Sequence, residues 1–220
     1  YHYSDQVSFS LSVPLIEQST DHISIIPGYD HFMIDTSSVG DLVLSTRYQF
    51  INTEKHNWWF SIGLSLPTGS IDEQGDTPRA PGDQQLPYTM QLGSGTYDIP
   101  MEFSYHRDDV EDFSLSFSAM MRTGKNDRNY RLGNAYRIAG RYFLNLSSRM
   151  KVSLGAEAQY IERIHGQDDE LLVPAAMPYP ASITNPDLFG GKKLVLEAGL
   201  KWQLSETAQI SLDIGKPVYQ

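Results

Sequence analysis

The most regular hydrophobic pattern in the chain runs from Tyr97 to Arg122, in two alternating stretches separated by a short polar turn at residues 107–111. Alternation with a period of two puts apolar side chains on one face of an extended strand and polar side chains on the other. Phe103 and Leu115 belong to the apolar face of this segment. The pattern therefore predicts a β-hairpin with one apolar and one polar face.

The polar face of this hairpin consists mostly of small side chains, including Ser104, Ser114, Ser116 and Ser118. A strand face in bulk water more often carries long Lys and Glu side chains. Small polar residues suit a confined, wet interior. We therefore expect the polar face to point into a barrel and the apolar face to point outward, toward lipid.

The same alternation recurs in seven other segments, which together with the hairpin predict nine antiparallel strands. These segments are residues 7–15, 40–50, 58–66, 134–146, 150–160, 190–204 and 208–215. Residues 18–39, 68–96, 123–133 and 165–189 lack a period and are predicted to be long loops. Long loops alternate with short turns, as in bacterial outer-membrane barrels. The sequence thus predicts an all-β fold, a single antiparallel transmembrane β-barrel domain spanning residues 1–220.

An odd number of strands leaves one sheet edge unpaired, which is costly in hydrocarbon. Single-chain bacterial barrels have even strand numbers. We therefore expect a complete barrel of ten strands, with the closing C-terminal strand beyond Gln220, or alternatively of twelve strands, with a further pair before Tyr1 or hidden in residues 18–39. The competing fold is a soluble, lipocalin-like barrel with its apolar face inside. It would expose the Ser-rich face to water and does not explain the alternating loop lengths.

Composition narrows the function classes. A net charge of −10 and the lack of a basic stripe argue against nucleic-acid binding. The chain has no cysteine, which fits passage through an oxidising periplasm. No apolar run approaches the ~20 residues of a membrane helix. The chain opens at Tyr1 without an apolar leader, so we expect a signal peptide to have been removed.

Aromatic residues gather at strand ends beside the short turns. Amphipathic rings favour the headgroup level of a membrane, so these residues predict one interfacial girdle. The girdle residues are Tyr48, Trp58, Trp59, Tyr105, Phe113, Tyr142 and Trp202.

Charged residues of both signs fall on the inward face of the predicted strands. They are Arg47, Glu102, Arg137, Arg141, Glu157, Glu197, Lys201 and Asp213. Unpaired charges in a narrow interior are costly, so we expect the two signs to interleave, with a salt bridge between Arg141 and Glu157. Two interpretations stay open: a polar constriction that selects solutes, and a salt-bridged plug that holds a small barrel rigid.

Catalytic and metal chemistry have weak signals. His22, His31 and His165 are predicted on the loop side, but no nucleophile motif surrounds any histidine. The loop acids, which include Asp72, Asp168 and Glu170, suit either a solvated surface or a divalent cation shared with lipopolysaccharide. No catalytic residue, cofactor or metal site is predicted.

Several short motifs resemble a family of bacterial outer-membrane proteins assigned to transport in the meta-pathway of phenol degradation. They are Val39-Gly40-Asp41-Leu42, Leu66-Pro67-Thr68-Gly69, Leu92-Gly93-Ser94-Gly95-Thr96-Tyr97-Asp98 and Lys216-Pro217-Val218-Tyr219-Gln220. The resemblance implies a barrel that lets small, often aromatic, compounds cross the outer membrane.

The leading functional hypothesis is therefore a passive outer-membrane channel or transporter for small solutes, aromatic or hydrophobic ones among them, rather than an enzyme. Its expected partners are outer-membrane lipid, lipopolysaccharide and a small-molecule solute. The alternatives are a structural or adhesion barrel that acts through its extracellular loops, and a barrel hydrolase acting on lipid or lipopolysaccharide.

Overall fold

The computed structural model describes residues 6–24, 27–108, 112–173, 178–205 and 207–219, which form β-strands joined by loops and four single-turn 3₁₀ helices. In chain order the strands are β1 (Val7–Ser12), β2 (Leu15–Ile23), β3 (His31–Val39), β4 (Leu42–Asn52), β5 (His56–Leu66), β6 (Gln74–Thr77), β7 (Ala80–Gln85), β8 (Asp98–Arg107), β9 (Asp112–Arg122), β10 (Tyr130–Arg131), β11 (Ala135–Asn145), β12 (Met150–Ile161), β13 (His165–Gly166), β14 (Gly191–Gln203) and β15 (Gln209–Tyr219). None of the helices in this part of the chain is long and apolar enough to cross a membrane.

Nine of these strands form one antiparallel sheet in the order β1-β4-β5-β8-β9-β11-β12-β14-β15. The prediction of nine antiparallel strands is confirmed, and so is the central hairpin, which is β8 and β9. Short turns join the strands at one end of the sheet and long loops join them at the other. The edge strands β1 and β15 do not pair with each other within the described residues, so the total of ten or twelve strands stays a prediction.

One face of the sheet is apolar and exposed, as expected for a surface that faces lipid. Leu115 is 45% exposed, Leu196 50% and Ile214 65%, although all three lie in the interior of long strands. Their neighbours along each strand belong to the other face and include Ser114, Ser116, Glu197 and Asp213. Apolar side chains at every second position therefore cover the outside of the sheet without packing into a core.

The polar face is concave. Arg141 on β11 donates a hydrogen bond to Asp213 on β15, with 2.7 Å between Nη1 and Oδ1. Three strand spacings separate these strands, or roughly 14 Å on a flat sheet. The two side chains could not meet across that distance unless the sheet curled toward its polar side. The curvature has the sense that a barrel with a polar interior requires.

The long loops contain more structure than the sequence predicts. Residues 18–39 are not an irregular connection, because β2 and β3 form a separate hairpin. In this hairpin Leu15 pairs with Val39 at one end and Ile23 pairs with His31 at the other. A second hairpin, β6–β7, lies within the predicted loop 68–96, and β10 pairs with β13 across two other loops. These strands were missed because both faces of β2 and much of β6 are polar, which removes the alternation that marks a half-buried strand.

The loops also hold the buried hydrophobic residues. Of those in the described chain, only Ala119 lies in the main sheet. Ile34, Leu86 and Met90 form one cluster, and Tyr88, Tyr130, Ile164 and Leu171 form another. We call the four long loops together the loop cap, which comprises residues 13–41, 67–97, 123–134 and 162–190. The cap is a packed layer at one end of the sheet.

Candidate functional site

The strand register places a row of small and charged side chains across the polar face. Arg47, Ser61, Glu102, Ser118 and Arg137 stand opposite one another on five successive strands, and the row continues into β12 and β14. A cavity of about 460 Å³ opens over this row on the side of the loop cap. Its lining includes Glu102 on one side and Arg137 on the other, separated by serine. The small serine side chains leave this cavity open, and Glu102 and Arg137 give its two sides opposite charges.

Arg137 is paired with Glu157 on the adjacent strand, and Gln159 also donates to the Glu157 carboxylate. Glu157 is almost fully buried. The expected Arg141–Glu157 bridge is therefore wrong. In the register Arg141 lies opposite Gly155, and Ala139 lies opposite Glu157. Arg141 and Glu157 are therefore two residues out of direct opposition.

Arg141 instead links two acids on strands further around the sheet. Its Nη2 lies 2.6 Å from Glu197 Oε2, and its Nη1 lies 2.7 Å from Asp213 Oδ1. Gly155 sits between Arg141 and Glu197 in the register, and a Cβ there would lie 3.4 Å from the Glu197 carboxylate. The missing side chain thus gives the guanidinium room to cross β12.

A second group of charges lies near the short turns. The Lys151 ammonium contacts the Asp112 carboxylate, with 2.6 Å between Nζ and Oδ2. Lys151 and Lys201 both lie beside the ring of Phe143, 5.7 Å and 6.0 Å from its centroid. His106 packs edge-on against the same ring. Positive charge therefore gathers here around one buried carboxylate and an aromatic ring.

All eight charged residues proposed for the interior lie on the polar face. The ion pairs join Arg137 to Glu157 and Arg141 to Glu197 and Asp213. Arg47 lies over the ring of Trp59, with its guanidinium carbon 4.8 Å from the centroid.

The residues proposed for the girdle divide between the two faces. Trp58, Tyr105 and Phe113 form a contact chain on the apolar face, with ring centroids 4.3 Å and 5.2 Å apart. Tyr48, Tyr142 and Trp202 lie on the same face and are each 40–46% exposed. Trp59 does not belong with them. It pairs with Gln49 and Ser104 on the polar face, where its ring contacts the Arg47 guanidinium.

The loop acids converge on one arginine. Arg128 contacts Asp168, Asp72 and Glu170, with its Nε 2.6 Å from Asp168 Oδ2. Burial acts to lower the pKa of the Arg128 guanidinium, but the hydrogen bonds to Asp168 and Glu170 outweigh it and raise that pKa. These three acids thus tie three loops together, rather than standing free for a cation shared with lipopolysaccharide.

Two further carboxylates, which alternation and charge alone do not indicate, anchor the loop cap to the sheet. Asp98 is completely buried at the start of β8 and pairs with Arg122 at the end of β9. Asp41 accepts hydrogen bonds from the backbone N–H groups of Gly69 and Ser94. Both acids lie within the Gly-rich motifs used for the family resemblance. An acid beside glycines at a strand end is the sequence signal for this role.

A second cavity, of about 560 Å³, lies within the loop cap. It is enclosed by the β2–β3 hairpin, the turn between β6 and β7, and residues 180–184. His22 stacks on Phe32 at its wall, with 4.9 Å between ring centroids. Arg79 also lines it, and burial lowers the pKa of that guanidinium.

The histidines considered for catalysis have ordinary surroundings. His31 lies 3.8 Å from Asp21 with both side chains 69% exposed, and His165 lies 3.5 Å from Glu162. These contacts join a histidine to one carboxylate on a loop surface. They supply no positioned hydroxyl nucleophile, which a hydrolase of the serine type requires.

A comparison with solved structures finds a similar fold in an outer-membrane channel. The chain is similar to the COG4313 outer membrane channel from Pseudomonas putida F1, with a TM-score of 0.57 over 99% of this chain and 72% of that chain. Sequence identity is 14%, so the likeness concerns the fold. The sequence matches no protein-family model and no curated protein. The class that the fold defines is an all-β protein built on one antiparallel nine-stranded sheet.

Proposed function

We propose that this protein is a passive channel of the bacterial outer membrane through which small solutes, aromatic or hydrophobic ones among them, cross without a cofactor. The observation that carries the proposal is the concave polar face, where a cavity of about 460 Å³ lies between Glu102 and Arg137. An exposed apolar face on the other side of the same strands suits contact with lipid and lipopolysaccharide. The fold shared with an outer membrane channel supports the same function.

The arrangement of charges favours selection over a solid plug. Arg137 and Arg141 are paired with acids, but Glu102 is exposed on the polar face between Ser61 and Ser118. The small side chains of Ser61 and Ser118 leave open space beside the Glu102 carboxylate. An accessible carboxylate at a narrow point attracts cations and repels anions, which is how charged rings tune conduction.

Planar-bilayer recording of the detergent-purified chain tests this proposal. We expect stepwise conductance, and we expect Glu102→Gln to shift the reversal potential in a salt gradient toward lower cation preference. Glu54→Gln in the turn between β4 and β5 is the matched control, because it removes the same charge away from the polar face. Absence of conductance, or equal shifts in the two variants, would refute a selective passage at this row.

Solute preference requires a second measurement. Liposomes that contain the protein should swell faster in a small aromatic zwitterion such as phenylalanine than in a sugar of similar size. The competing adhesion role, in which the loop cap binds a surface, predicts no swelling.

A further inference from the structure

The end of the β8–β9 hairpin brings together three side chains that can ligate a metal ion. They are His106, Asp108 and Asp112, one imidazole and two carboxylates whose donor atoms all lie within 4.8 Å of one another. Imidazole with carboxylates is a donor set that suits zinc and neighbouring divalent transition metals. The sequence predicts no metal site here, because His106, Asp108 and Asp112 match no recognisable metal-binding motif.

The carboxylate of Asp112 supplies an independent indication. Its side chain is 97% buried, and its Oδ2 contacts Lys151, but no hydrogen-bond donor among the described residues reaches Oδ1. An unsatisfied carboxylate oxygen in a buried position is costly. That oxygen is directed toward His106, whose Nε2 lies 3.6 Å away.

The distance of 3.6 Å is too long for a hydrogen bond between nitrogen and oxygen. It is, however, close to the separation of two ligands on one ion. Two bonds of about 2.1 Å in a tetrahedral site place their donor atoms roughly 3.4 Å apart. His106 and Asp112 therefore stand at the spacing of a shared cation, with the ring of Phe143 packed beside the imidazole.

The third ligand is held by the backbone. Asp108 donates its N–H to the carbonyl of Lys55, which fixes the end of β8 against the turn between β4 and β5. Its side chain is exposed, so a rotamer change can bring the carboxylate onto an ion bound by the other two residues. Water would complete the coordination.

We infer that His106, Asp108 and Asp112 form a binding site for a divalent transition-metal cation, with Zn²⁺ as the best match to the donor set. The inference is independent of conduction, since it rests on the geometry of one hairpin end. Lys151 opposes the metal electrostatically, because its ammonium shares the Asp112 carboxylate. The site therefore binds more weakly than the same three ligands would without the lysine.

Equilibrium dialysis of the untagged full chain in detergent, with Zn²⁺ alone as the probe, tests the inference. We expect one saturable equivalent, and His106→Gln or Asp112→Asn should weaken it roughly tenfold or more. The matched control is His165→Gln, which removes a histidine that also lies about 3.5 Å from a carboxylate but has no third ligand among the described residues. That variant should bind like the wild type.

A variant that should raise the affinity for Zn²⁺ distinguishes loss of a ligand from misfolding. Lys151→Met removes the competing ammonium, so Zn²⁺ should bind more tightly than in the wild type, an outcome that a merely structural role for the lysine does not give. No saturable binding, or equal losses in His106→Gln and His165→Gln, would overturn the site. A protein that binds Zn²⁺ but does not conduct would refute the proposed channel and leave this site standing.

Discussion

Replacing Arg141 by methionine tests whether cross-strand ion pairs stabilise the polar face. The change removes a cation that contacts both Glu197, whose side chain is 24% exposed, and Asp213, whose side chain is 51% exposed. Breaking a buried pair costs about 3–5 kcal/mol, whereas an exposed pair is worth about 0–1 kcal/mol. Partial exposure of both acids places the expected cost between these limits, at about 2 kcal/mol.

Urea unfolding of the protein in lipid vesicles measures this cost. Arg163→Met is the matched control, because Arg163 pairs with Asp187 on the loop surface and both side chains are about 60% exposed. We expect that control to change the free energy of unfolding by less than ~1 kcal/mol. The double variant Arg141→Met/Glu197→Gln should recover part of the loss, since it removes one uncompensated acid. Equal costs for the two arginines, or strict additivity in the double variant, would refute the reasoning.

Two further predictions concern the apolar face and the loop cap. Leu115→Arg should destabilise the folded protein in vesicles by ~2–4 kcal/mol, while Ser116→Arg on the polar face should mainly change conductance; equal destabilisation would contradict the assignment of faces. Arg128→Gln removes the guanidinium that joins three loops, so limited proteolysis should cut the loop cap faster than in the wild type. The folded sheet should remain, which the shift in gel mobility between unheated and heated samples checks. Loops that stay uncleaved would show that Asp168 and its neighbours do not depend on this arginine.

The main sheet could be predicted because its signal is local. A strand with one face in each environment alternates residue by residue, as in β8 around Phe103 and in β9 around Leu115, and that period needs no knowledge of tertiary contacts. β2 has exposed polar residues on both faces, so nothing in its own sequence distinguishes it from a loop. Its pairing with β3 depends on contacts such as that of the Thr36 hydroxyl with the carbonyl of Met90, 54 residues away.

The partners of the interior charges were harder to predict than their face. Counting across a three-residue turn places Arg141 within about one pair of Glu157, as the register has it, but each residue takes another partner. The actual acceptor Asp213 lies three strands away and comes within reach only because the sheet curls. Trp59 shows the reverse error, because its position beside a turn suggested the girdle although alternation with Trp58 puts it on the polar face.

Small residues on the polar face and ion pairs across it have a common physical cause. A Cβ at Gly199 would lie 2.5 Å from both the Asp213 carboxylate and the Ser153 hydroxyl, so even alanine there would displace the acid that Arg141 holds. On a concave face the side chains converge, and long charged groups can cross neighbouring strands only over positions that have almost no side chain. The Ser- and Gly-rich composition that indicates a confined interior is therefore also the condition for its charges to pair. Small side chains continue beside Glu102, at Ser61 and Ser118, and the cavity of about 460 Å³ lies over them.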